Sequence, residues 1–80
     1  MIYPNPNDGS FTAVVAGEDM AGSIVRWFDL TGRTLNIQPS TVHISSSLMQ
    51  LEYQNVPRGG YLMEIIQKNK RMKTFKVMVR

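Results

Sequence analysis

Apolar and polar residues alternate with period two along most of this chain, in short runs separated by glycine, proline and asparagine. Between Ser10 and Val15, Phe11, Ala13 and Val15 face one way and Ser10, Thr12 and Val14 the other, the pattern of a half-buried strand. Ile24 to Leu30 repeats it, with Val25 and Trp27 on one face and Arg26 and Phe28 on the opposite one. Thr34 to Ile37 returns as a short strand that aligns Leu35 with Ile37, and Thr41 to Ile44 forms a short edge segment. Leu48 to Tyr53 could open a helix after the serines, but a run this short favours a strand. Tyr61 to Ile66 turns Tyr61, Met63 and Ile65 inward and Glu64 outward. The last run, Arg71 to Val79, puts Phe75, Val77 and Val79 on one face and Thr74, Lys76 and Met78 on the other. No stretch sustains a period of 3.6 over the roughly 10–12 residues of a substantial helix.

The corners are as informative as the runs. Pro4-Asn5-Pro6-Asn7-Asp8-Gly9 is a turn whose prolines fix φ beforehand. In Asp29-Leu30-Thr31-Gly32-Arg33 the carboxylate can accept backbone amides across the reversal while Gly32 takes positive φ, and Asp29 is placed near Arg33. Pro57-Arg58-Gly59-Gly60 is a third turn, Lys68-Asn69-Lys70 closes a hairpin, and Ser45-Ser46-Ser47 reads as polar and flexible. Six or seven short strands with such corners predict an all-β, two-sheet antiparallel sandwich, with a small barrel as the alternative. Phe11, Trp27, Tyr61 and Phe75 are expected in its core; Tyr3, Phe28 and Tyr53 are the candidate surface rings. Met49, Met63, Met72 and Met78 could supply an adaptable apolar patch for weak self-association.

At 80 residues the chain is expected to be a single domain, 1–80, with a thin core that no disulfide reinforces, since it has no cysteine. A hydrophobic share of 42% against 19% charged residues suits a folded domain rather than a disordered segment. No apolar run approaches the roughly 20 residues of a membrane-spanning helix, and Pro4, Asn5, Pro6 and Asp8 interrupt any signal-peptide pattern. Met1-Ile2 runs straight into strand-like sequence, as expected of a domain excised from a longer protein. The net charge of +3 conceals an asymmetry: residues 1–57 carry two basic side chains against five acidic ones, and residues 58–80 carry seven against Glu64 alone. Such a basic end attracts anionic partners over about 10 Å.

Catalytic chemistry finds no constellation. His43 is the single histidine, so a His/Cys metal centre lacks ligands. Asn5, Asn7 and Asp8 could converge on a hard cation, but closing the turn on backbone amides is the favoured reading. Ser45, Ser46 and Ser47 lack a neighbouring base in a nucleophile turn, and the acidic residues are scattered. The sequence therefore reads as non-enzymatic, with no cofactor. Nucleic-acid binding through Arg58, Lys68, Lys70, Arg71, Lys73, Lys76 and Arg80 lacks interleaved surface aromatics. Lysines on an edge hairpin can also serve only to discourage edge-to-edge pairing.

Taken in order, Tyr3-Pro4-Asn5-Pro6 with Asn7, Asp8, Gly9 and Phe11, then Val25-Arg26-Trp27-Phe28-Asp29-Leu30-Thr31-Gly32-Arg33, then Val56-Pro57-Arg58-Gly59-Gly60-Tyr61, then the basic hairpin from Lys68 to Arg80, resemble the C-terminal sorting domain of the Por, or type IX, secretion system of Bacteroidetes-type bacteria. Trp27 stands where a smaller aliphatic is more usual, and Asn36 to Ser47 would be a variable loop. The resemblance implies an immunoglobulin-like β-sandwich of about seven strands. It also implies a role as a non-catalytic signal that carries an upstream cargo domain through the outer-membrane type IX machinery. A sortase-like peptidase would then usually remove the domain, leaving a secreted or cell-surface product. The positions carrying this role would be Pro4, Asn5, Pro6, Gly9, Asp29, Gly32, Arg33, Pro57, Gly59 and Tyr61, together with the basic Lys70, Lys73, Lys76 and Arg80. The rival readings are a carbohydrate-binding module, which needs a row of exposed aromatics, and a structural spacer on a secreted enzyme.

Overall fold

The alternating runs become eight strands in a computed structural model that describes residues 1–80: β1 Ile2–Tyr3, β2 Phe11–Ala16, β3 Ile24–Asp29, β4 Thr34–Leu35, β5 Thr41–Ile44, β6 Leu48–Tyr53, β7 Gly59–Ile66 and β8 Met72–Val79. They form two four-stranded sheets, ordered β1-β2-β6-β5 and β4-β3-β7-β8, and all strand pairs are antiparallel. This is the ABED and C′CFG arrangement of the immunoglobulin sandwich, with β1 to β8 standing for A, B, C, C′, D, E, F and G. The sheets do not close on each other, which removes the barrel alternative.

Period two translates directly into burial. Phe11, Ala13 and Val15 of β2, Met49, Leu51 and Tyr53 of β6, Tyr61, Met63 and Ile65 of β7, and Val77 and Val79 of β8 are buried, and their neighbours in sequence are not. Trp27, on the C-type strand β3, is 2% exposed and lies at the centre of four rings. It meets Tyr53 and Tyr61 edge-on, with centroids 5.1 and 6.1 Å away, and Phe11 at 5.9 Å, while Phe11 stacks on Tyr53 at 5.0 Å. The Tyr61 hydroxyl donates to the Pro57 carbonyl at 2.6 Å, the tyrosine corner at the start of an F strand. Two residues on, where an immunoglobulin domain places its second cysteine, Met63 is completely buried, so packing fills the place of a disulfide.

Several expectations are corrected. Tyr53 is a core ring rather than a surface one, because its period-two register with Met49 and Leu51 points it inward and its hydroxyl accepts the Trp27 Nε1–H at 3.2 Å. Met49 and Met63 are equally buried, so only Met72 and Met78 of the supposed methionine patch reach the surface. Phe75 is half-buried against the rim of the core. The return strand β4 is only two residues long, and Gly59 and Gly60 begin β7 rather than forming a corner before it. Ser45 to Ser47 is a tight β5–β6 hairpin: the Ser45 amide donates to the Leu48 carbonyl at 2.8 Å, and its hydroxyl accepts the Leu48 amide at 3.1 Å. The Asn36–Ser47 stretch therefore contains a paired strand.

Candidate functional site

The motif segments, far apart in sequence, meet at one end of the sandwich. Strand register shows why: Phe11 pairs with Tyr53, Asp29 with Tyr61, and Gly59 with Val79, so these strand ends share a pole. The opening turn closes that pole by crossing from the first sheet to the second. Both X–Pro bonds in it are cis. Its Asn5 carboxamide imitates a strand residue, donating to the Lys76 carbonyl at 2.9 Å and accepting the Met78 amide at 3.0 Å. The Asn7 backbone continues the ladder, donating to the Met78 carbonyl at 3.0 Å and accepting the Arg80 amide at 2.8 Å in a parallel bridge to Val79. Residues 5–7 thus act as a clasp on the edge of the last strand.

Side chains inside the turn are spent on its own backbone. Asn7 is 7% exposed; its Oδ1 accepts the Gly9 amide at 2.9 Å and its Nδ2 donates to the Pro4 carbonyl at 3.2 Å. Asp8 Oδ1 accepts the Ser10 amide at 3.2 Å. These oxygens serve backbone amides, as expected of side chains that close the turn on its own backbone. Gly9 has φ +111° and its carbonyl accepts the Val56 amide at 3.1 Å. A Cβ there would sit 2.7 Å from the Val56 oxygen, so only glycine lets the opening turn and the segment before β7 lie this close.

Asp29 organises the β3–β4 turn. Its Oδ1 accepts the Thr31 and Arg33 amides at 2.9 and 3.0 Å and the Thr31 hydroxyl, while Oδ2 accepts Arg33 Nε at 3.2 Å. The Thr31 hydroxyl most of all, then the Arg33 amide, hold its carboxyl below the usual carboxylate range. Gly32 takes the left-handed position with φ +91°. Beside this turn, Leu30 covers Gly60, where a Cβ would come within 2.6 Å of its Cδ1. An open cleft of about 390 Å³ runs between the two motif loops, with Asp29, Arg33 and Asn36 on one side and Pro57, Arg58, Gly59 and Tyr61 on the other.

The basic residues do not form one patch. Arg80 ends the chain at the motif pole, and exposed Arg58 stands on the cleft. Lys76 lies on the outer face of β8, opposite Leu62. Lys73 is level with Ile65, toward the far pole, where its ammonium donates to the Ala16 carbonyl at 2.7 Å. Lys70 sits in the far hairpin with φ +68°. The local turn pattern accounts for the Asn7 side chain, which closes on Pro4 and Gly9, but not for Leu30 over Gly60 or Arg58 on the cleft, which depend on contacts between segments that no local pattern reveals. The rings that a sugar-binding face would need most, Trp27 and Tyr61, are buried.

The family model described as the secretion system C-terminal sorting domain matches residues 1–80. A chain from the crystal structure of the ZIG-8–RIG-5 IG1–IG1 heterodimer is similar over 99% of this chain and 85% of its own length, with 15% identity and a TM-score of 0.48. No curated protein matches the chain. No helix here is long and apolar enough to cross a membrane. Domains of the matched kind are non-catalytic signals for type IX secretion, carried by secreted or cell-surface proteins. Matched from its first residue to its last, the chain belongs to the family of secretion system C-terminal sorting domains.

Proposed function

We propose that this single domain is read as a folded object by the outer-membrane type IX machinery, which transports a cargo domain upstream of it in the same chain. Removal by a sortase-like peptidase would follow transport. The observation that supports this reading is the convergence of the opening turn, the Asp29–Arg33 turn, the Pro57–Tyr61 segment and the end of β8 at one pole. Such a surface exists only when the last strand is in place, so the signal is complete only when the domain is folded.

The motif positions then divide by task. Pro4, Asn5, Pro6, Gly9, Asp29, Gly32, Pro57, Gly59 and Tyr61 build the pole, while Arg33, Arg58, Lys76 and Arg80 offer charge at or near it. Lys73 and Lys70 act at the opposite end, as a strand tether and a hairpin residue. Residues 1–80 fused to a reporter with an N-terminal export signal are expected to carry it across the outer membrane. A reporter retained in the periplasm would reject the sorting reading in favour of a spacer. Substituting Arg33, Arg58, Lys76 and Arg80 by glutamine should reduce transport while leaving the circular dichroism spectrum unchanged. Undiminished transport would remove charge from the recognition and leave the shape of the pole to carry it.

A further inference from the structure

The outer face of the β4-β3-β7-β8 sheet is unusually apolar for a surface. Ile24, Met72 and Met78 on it are 58%, 56% and 37% exposed, and Phe28, Leu62 and Ile66 are partly exposed beside them. Apolar side chains gathered on one sheet face mark an interaction surface rather than scattered exposure. We propose that the partner is a second copy of this chain, packed face to face about a two-fold axis that runs along the strands between β3 and β7.

The cross-strand register carries the argument. Successive outward rows on β3 and β7 pair Ile24 with Ile66, Arg26 with Glu64, and Phe28 with Leu62. A two-fold axis between these strands lays β3 of one copy over β7 of the other. Ile24 then meets the other copy's Ile66, and Phe28 meets its Leu62. Arg26 meets Glu64, and Glu64 meets Arg26, so a single chain supplies both signs in the arrangement an isologous interface requires. Within one copy Arg26 already donates from Nε to Glu64 at 3.0 Å, and its guanidinium lies 5.8 Å from the Phe28 ring centroid. Its side chain is still 49% exposed, which leaves donors free for a second carboxylate. The flanking row keeps the same order: Thr34 lies beyond Phe28 and Lys76 beyond Leu62, so the axis brings lysine over threonine and sets no like charges together.

Four short strands at about 4.8 Å spacing offer less than the roughly 800 Å² per partner of a standard interface, so the dimer belongs to the weak, concentration-dependent class. Sedimentation equilibrium of the 80-residue chain from about 10 μM to 1 mM is the test. Dimer at the upper end is expected, and a chain monomeric throughout overturns the proposal. Arg26→Glu and Glu64→Arg should each lower dimer affinity at least tenfold. An equimolar mixture of the two variants should restore dimer, because every facing pair then has opposite sign. A mixture that stays monomeric, or single variants that dimerise as well as the parent, would overturn the geometry. Thermal melts verify that each variant is folded. Ile24→Lys, at an exposed position, gives a second loss of at least tenfold should a charge variant fail to fold.

Discussion

At the scale of single residues, buried polar atoms carry more of the design than the charged surface does. The Trp27 indole N–H has one acceptor, the Tyr53 hydroxyl, inside a cluster of rings. Tyr53→Phe keeps the ring and removes the acceptor, so it should cost about 1–3 kcal/mol in denaturant unfolding. Burial raises the Tyr53 hydroxyl pKa, partly offset by the bond from Trp27. A raised folded value means that its stabilisation is complete below the ordinary tyrosine pKa of about 10 and fades as pH climbs past it. Tyr53→Phe should therefore lack this component of the alkaline loss expected in the parent's melting temperature. Asp29 has the opposite sign. Its lowered pKa stabilises the fold above the ordinary aspartate value of about 3.9, and that contribution disappears as pH falls through the lowered value. Asp29→Asn should melt below the parent near neutral pH, with the gap closing toward pH of about 2.

At the scale of elements, the two short hairpins of the second sheet solve one geometric problem with different residues. In each, a turn closes on a left-handed residue: Gly32 in the β3–β4 turn, with its amide to the Asp29 carbonyl at 3.0 Å, and Lys70 in the β7–β8 turn, with its amide to the Gln67 carbonyl at 2.9 Å. A lysine pays a steric penalty there that glycine avoids, so Lys70→Gly should leave stability unchanged or raise it by up to about 1 kcal/mol. Preserved transport in that variant would separate Lys70 from recognition. The clasp is the other element-level device. Asn5→Ala removes both side-chain bonds to β8, so hydrogen exchange at Met78 should accelerate well before exchange at Met63 in the neighbouring strand changes.

At the scale of the whole molecule, the sheets are held by one aromatic and aliphatic core, without a disulfide. Trp27→Ala should cost about 3–5 kcal/mol, a large share of what a chain this small can muster. Transport should fail along with folding. Comparing that variant with the folded glutamine variant of Arg33, Arg58, Lys76 and Arg80 separates a signal lost through unfolding from a signal no longer recognised. The same logic applies to shortening the C terminus: removing β8 also removes Val77 and Val79 from the core and leaves the opening turn without its partner strand.

The sequence by itself determined the all-β class, nearly all strand positions and the inward faces, because period two ties burial to residue parity and the turn residues fix where runs end. The Asp29–Arg33 turn was equally legible, since its hydrogen bonds close within five residues. What only the tertiary structure decided is which segments meet. The division of the lysines between two poles and the Asn5–Asn7 clasp on a strand some seventy residues away both depend on long-range register. Local patterns record which way a side chain faces; they hold no information about the partner placed opposite it once the two sheets come together.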